Sequence, residues 1–91
     1  MIKSFRPKGL VRLFEEDTAS GIRADLVKRC RRRLMALDVA ESLGDLNVPG
    51  FDFHGLQGKP KRYSIHVNGP WSITFEGIEG DAGRVDLEQY H

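Results

Sequence analysis

The spacing of hydrophobic positions changes once along the chain, at Asn47-Val48-Pro49-Gly50. Before that point the spacing is helical. Pro7 suits a first helical turn. Leu10, Leu13 and Phe14 then recur at helical steps up to Glu15-Glu16-Asp17, predicting a helix of about three turns. Its terminal acids oppose the helix dipole, which leaves that boundary loosely defined. Val27, Cys30, Leu34, Leu37 and Glu41 step by 3, 4, 3 and 4, with Leu26, Ala36 and Ala40 beside them. Apart from Glu41 this is an amphipathic helix from Ala24 to Ser42, with Leu43-Gly44 as its stop.

After Gly50 the period is two. Tyr63, Ile65 and Val67 alternate with Ser64, His66 and Asn68, and Asn68-Gly69-Pro70 is a turn. Trp71, Ile73 and Phe75 then alternate with Ser72, Thr74 and Glu76, the pattern of a β-hairpin with one apolar face. Glu79-Gly80-Asp81 predicts another turn, and Val85 and Leu87 open a last strand leading to Tyr90 and His91. Phe51 to His54 is a further candidate strand, and Ile2 to Phe5, apolar at both ends, a candidate edge strand.

Helices followed by strands predict an α+β domain: two N-terminal helices packed on one face of a small antiparallel sheet. The other face is expected to be open, with Ser64, His66, Ser72 and Thr74 on it. Ninety-one residues form one domain, 1–91, without repeats or linkers. A chain this short buries only roughly 60–65% of its unfolded surface, so its stability is expected to be modest.

Composition narrows the function classes. Hydrophobic residues are 40% and charged residues 30% of the chain, a globular ratio. No apolar run reaches the ~20 residues of a membrane span. Met1-Ile2-Lys3-Ser4-Phe5-Arg6 has no signal-peptide h-region, so a cytoplasmic location is expected. With Cys30 alone, an intrachain disulfide and a four-cysteine zinc site are both excluded, and its place on the apolar stripe predicts a buried, inert thiol. The net charge of +1 conceals an asymmetry: residues 1–62 hold 13 of 14 basic and 8 of 13 acidic side chains, whereas residues 63–91 hold Arg84 against five acids. Lys28, Arg29, Arg31, Arg32 and Arg33 form one basic group, and Lys59, Lys61 and Arg62 a second. Such segregation steers a polyanion toward one surface, although a charged helix face is often simply solvated.

There is no phosphate-cradling glycine loop, no nucleophile elbow and no His-Glu-x-x-His. Candidate chemistry rests on His54, His66 and His91, whose spacings of 12 and 25 residues match no metal-ligand motif. Neither metal nor cofactor is expected. From the residues alone, His66 reads as a solvated strand side chain and His54 as a partly exposed structural one.

A resemblance covering the whole chain changes that reading. Met1-Ile2-Lys3-Ser4-Phe5-Arg6, Lys8-Gly9-Leu10, Leu13-Phe14-Glu15, Leu34-Met35-Ala36-Leu37-Asp38-Val39-Ala40, Leu46-Asn47-Val48-Pro49-Gly50-Phe51, His54-Gly55-Leu56-Gln57-Gly58, Trp71-Ser72-Ile73-Thr74-Phe75 and Tyr90-His91 occur in order. This ordered set resembles the HigB toxins, plasmid-maintenance killer proteins of the RelE superfamily. The resemblance implies a RelE-like fold and a type II toxin that cuts mRNA on the ribosome. It also implies a HigA-like helix-turn-helix antitoxin as partner. Cleavage by attack of a ribose 2′-oxygen on the adjacent phosphate needs a base, an acid and cations for the developing charge.

Carried over by motif, His54 and His91 are the proton-transfer candidates and Tyr90 positions phosphate or base. Lys59, Lys61, Arg62, Gln57, Ser72 and Gln89 are the candidate RNA-binding side chains, and the 28–33 basic group is the candidate ribosome contact. Three positions depart from the pattern. The family reads His-Pro-Leu-Lys-Gly and Trp-Arg-Ile-Thr-Phe, where this chain has Gln57 and Ser72 for the cations. It ends Asp-Tyr-His or Glu-Tyr-His, where this chain has Gln89. A second reading follows from these departures: a toxin homologue that binds antitoxin or ribosome without efficient cleavage. A third is a ribonuclease independent of the ribosome.

Overall fold

The computed structural model describes residues 1–19 and 21–89. They form an α+β fold in the order α1 (Lys8–Glu15), α2 (Val27–Val39), β1 (His54–Leu56), β2 (Arg62–Asn68), β3 (Trp71–Ile78) and β4 (Asp81–Gln89). The four strands make an antiparallel meander in the order β1-β2-β3-β4.

α1 has eight residues, about two turns rather than the expected three. Pro7 stands just outside it as the N-cap residue, and the chain leaves the helix through Glu16 to Asp17 at a positive φ of 54°. The second helical segment is shorter than its periodicity suggested. Ala24–Leu26 is a 3₁₀ turn, α2 follows, and Ala40 is extended. Ser42 begins a new 3₁₀ turn with a capping box, in which the Asp45 carboxylate accepts from the Glu41 and Ser42 amides at 2.9 and 3.3 Å. Glu41 therefore lies outside the helix, which accounts for an acid on an apolar stripe.

The candidate strand at Phe51–His54 is displaced, and pairing begins only at His54, opposite Ser64. The β2–β3 hairpin matches its alternation, with Ile65 opposite Ile73 and Tyr63 opposite Phe75. Glu79 and Gly80 both take positive φ, 50° and 86°, as a two-residue turn matched to strand twist requires. Ile2 and Phe5 bridge to Ala82 and Val85 in parallel, so the N-terminal segment does run along an edge, that of β4.

The core joins Leu10, Leu13, Leu26, Cys30, Leu34 and Leu37 to Ile65, Val67, Ile73, Phe75 and Val85. α2 contacts β2 and β4, and α1 contacts α2. Cys30 is fully buried, and burial pushes its thiol up to about 11.

One expectation fails in part. Ser64, Ser72 and Thr74 share one face of the sheet with His66, as expected, but are not exposed on it: each is buried, Thr74 completely. Their side chains are short, and long neighbours across the strands flank them. His66 and Glu88 pair beside Ser72, while Arg62 and Glu88 bond over Thr74.

Candidate active site

Register determines which side chains share the polar face. His54, Ser64, Thr74 and Asp86 form one cross-strand row, and His66, Ser72 and Glu88 form the next. Arg62, opposite Glu76, belongs to the same face. Tyr63, Phe75 and Phe53 stack on the other. That other side also carries a groove of about 290 Å³ lined in part by Leu37, Leu43, Leu46, Tyr63 and Phe75. Among the described residues that line it there is no histidine or arginine.

His54 is exposed at the start of edge strand β1. Its Nδ1 is 2.8 Å from the Asp52 carbonyl oxygen. A carbonyl only accepts, so in neutral imidazole this contact puts the proton on Nδ1 and leaves the lone pair on Nε2. His66 contacts the Gly69 carbonyl through Nε2 at 3.1 Å.

Arg62 is tied into a polar network. Its Nη2 donates to Thr74 Oγ1 at 2.8 Å and forms an ion pair with the Glu88 carboxylate. The Thr74 hydroxyl donates to that same carboxylate. Both charged side chains are half-buried. Neither Thr74 nor Glu88 is a candidate from the sequence, yet both contact the candidate Arg62. The alternation of β3 carries a signal for Thr74. Glu88 is legible only with the β3–β4 register, which shifts between Thr74 and Glu76.

The remaining candidates separate. Gln57 and Lys59 are exposed in the β1–β2 loop. Lys61 folds back, its Nζ donating to the Leu56 carbonyl at 3.2 Å and standing 5.7 Å from the Tyr63 ring centre, on the side away from His54. Ser72 is buried and Gln89 exposed. Tyr90 and His91 lie outside the described residues.

The basic helix is not one uniform surface. Lys28, Arg29 and Arg32 are exposed, and Arg31 pairs with Asp17 at 2.7 Å. Arg33 is a correction to the expected ribosome contact, since it is only 8% exposed. Its Nε donates to the His66 carbonyl at 2.6 Å, and its guanidinium lies 4.8 Å from the Phe51 ring centre. Burial lowers its pKa, and the charges of Arg29 and Arg32 lower it further.

Among the described residues, no three His, Cys, Asp or Glu side chains gather where they could hold a metal ion, and no helix is long and apolar enough to cross a membrane.

Two comparisons bear on this geometry. Residues 3–91 match the family model described as HigB-like toxin, the RelE-like toxin of type II toxin–antitoxin system HigB. The chain is also similar to Endoribonuclease HigB of Proteus vulgaris, 46% identical over 92 residues that cover 100% of each protein.

Proposed function

The chain belongs to the HigB-like family of RelE-like toxins of type II toxin–antitoxin systems, and from that premise we propose that it is an endoribonuclease that cleaves mRNA on the translating ribosome. In this reading both helices cover the apolar face of the sheet, and RNA lies on the face that carries His54 and Arg62. A HigA-like antitoxin restrains the enzyme, which works in the cytoplasm.

The observation that carries the reading is the pairing of an exposed histidine with a held cation on one sheet face. His54, with its Nε2 lone pair outward, is suited to take the proton of a ribose 2′-hydroxyl. The 2′-oxygen then attacks the adjacent phosphorus. A P–O2′ bond forms, the P–O5′ bond breaks, and an acid protonates the departing 5′-oxygen. His91 is the candidate for that acid and Tyr90 for positioning the phosphate. Arg62 and Lys59 neutralise the developing charge, with Gln57, Ser72 and Gln89 as neutral neighbours. Lys28, Arg29 and Arg32 offer the ribosome an exposed basic surface.

Primer extension on a defined mRNA, with and without translating ribosomes, tests this. Cuts within codons that need both ribosomes and His54 are the expected result. Cuts on naked RNA would overturn ribosome dependence. Absence of cuts from protein that still co-sediments with ribosomes would overturn the enzymatic reading in favour of a binding role.

A further inference from the structure

We infer that Arg62 supplies the phosphate-facing cation that the HigB pattern keeps at position 72, and that Glu88, with Thr74, is the positioning residue that holds it there. This rests on the ribonuclease reading above and deepens it.

Position 72 cannot do this work in the present chain. Its residue is a buried serine, with neither charge nor reach. Register shows what stands next to it. Ser72 is paired directly with Glu88 on β4 and lies two residues from Thr74 on the same face of β3. Arg62 comes from β2, the strand beside that of His54, and crosses β3 to bond both Thr74 and Glu88. Its guanidinium thus ends against Glu88, the residue paired directly with Ser72.

Chemistry favours a positioning role for the carboxylate. An unbraced arginine has many rotamers and loses that freedom when it grips a phosphate. Thr74, fully buried, and Glu88, half-buried, fix the guanidinium before RNA arrives, and preorganised charge is what stabilises a phosphorane. Glu88 touches no reacting atom in this scheme and acts through Arg62.

The test is cleavage of a defined mRNA on translating ribosomes, with kcat and KM measured separately and a thermal melt for every variant. Arg62→Ala is expected to lower kcat by about 10² or more. Adding Ser72→Arg to that variant is expected to recover at least about tenfold, because the cation returns from the neighbouring strand. Glu88→Gln is expected to lower kcat by about tenfold alone and to change nothing further when Arg62 is already alanine, as coupled residues behave. If Arg62→Ala fails to melt cooperatively, Arg62→Lys takes its place, keeping the charge without the planar fork, with a loss of about tenfold expected.

Wild-type cleavage that Arg62→Ala leaves intact overturns this inference alone. So does a loss that Ser72→Arg leaves unrepaired, or an effect of Glu88→Gln that simply adds to that of Arg62→Ala. No cleavage by the wild-type protein overturns the ribonuclease reading, and this inference with it.

Discussion

The Nε of Arg33 lies 2.6 Å from the backbone carbonyl oxygen of His66, joining the middle of α2 to the middle of β2. A residue in a run of five basic side chains thereby becomes an internal brace. Its Nη1 and Nη2 also approach the Arg29 and Gly50 carbonyls at 3.3 and 3.5 Å, the second interaction holding the loop before β1.

Arg33→Ala removes these donors and the packing against Phe51. The expected cost is roughly 2–4 kcal/mol, against less than about 0.5 for Arg32→Ala on the exposed face. Urea unfolding of the two variants side by side checks the contrast, and equal losses would contradict a bracing role.

Ribosome binding should divide along the same line. Charge reversal at Lys28, Arg29 and Arg32 is expected to weaken co-sedimentation with ribosomes and flatten its salt dependence, by about one unit of slope for each phosphate no longer neutralised. Unchanged binding would make this helix only a solvated face.

The thiol of Cys30 provides a pH test. Burial raises its pKa to about 11 from an ordinary 9.0. The folded thiol thus holds its proton where the unfolded one has released it. Its contribution to stability is complete below about pH 9 and is lost as pH rises through about 11. Each unit is about 1.4 kcal/mol, so the wild type is expected to lose roughly 2–3 kcal/mol more than Cys30→Ala between those limits. Denaturant melts of both proteins at several alkaline pH values measure the difference. Parallel curves would mean that the thiol is not desolvated.

His54→Ala is expected to lower cleavage by about 10²–10⁴, the ordinary worth of a proton-transfer group. Because Nδ1 is engaged by the Asp52 carbonyl, Nε2 is the atom that the proposed proton transfer would use. Replacement by Gln, which carries no titratable proton, should fail to restore activity. Primer extension on translating ribosomes with the wild type and both variants measures the loss, and undiminished cleavage by His54→Ala would rule out a proton-transfer role for it.

Gln57 stands exposed in the loop after β1, where the family pattern has lysine. Gln57→Lys adds a cation near His54 without disturbing packing, and is expected to raise cleavage by about tenfold with little change in melting temperature. Cleavage that falls or stays level would show that Lys59 already saturates the need for charge there.

Much of this molecule follows from sequence alone. Period two along Tyr63–Val67 and Trp71–Phe75 predicts the hairpin, and the 3-4 stripe from Val27 to Leu37 predicts α2. Each is decided by which side of a local element must leave water. The HigB-like character is likewise legible in the ordered motifs, and His54 stands out on that ground. What sequence could not supply is any relation carried by register or by the direction of a long side chain. Arg33 and Arg32 are neighbours of one residue type, yet one is buried and the other exposed, because helix rotation against β2 turns only the first toward the His66 carbonyl. Ser64, Ser72 and Thr74 alternate as a solvent face should, and are buried because the sheet brings longer side chains beside them. The meeting of Arg62 with Glu88 depends on the registers of β2 with β3 and of β3 with β4, and on a short side chain, Thr74, between them. Such distances are set by the sheet as a whole, so only the tertiary structure decides them.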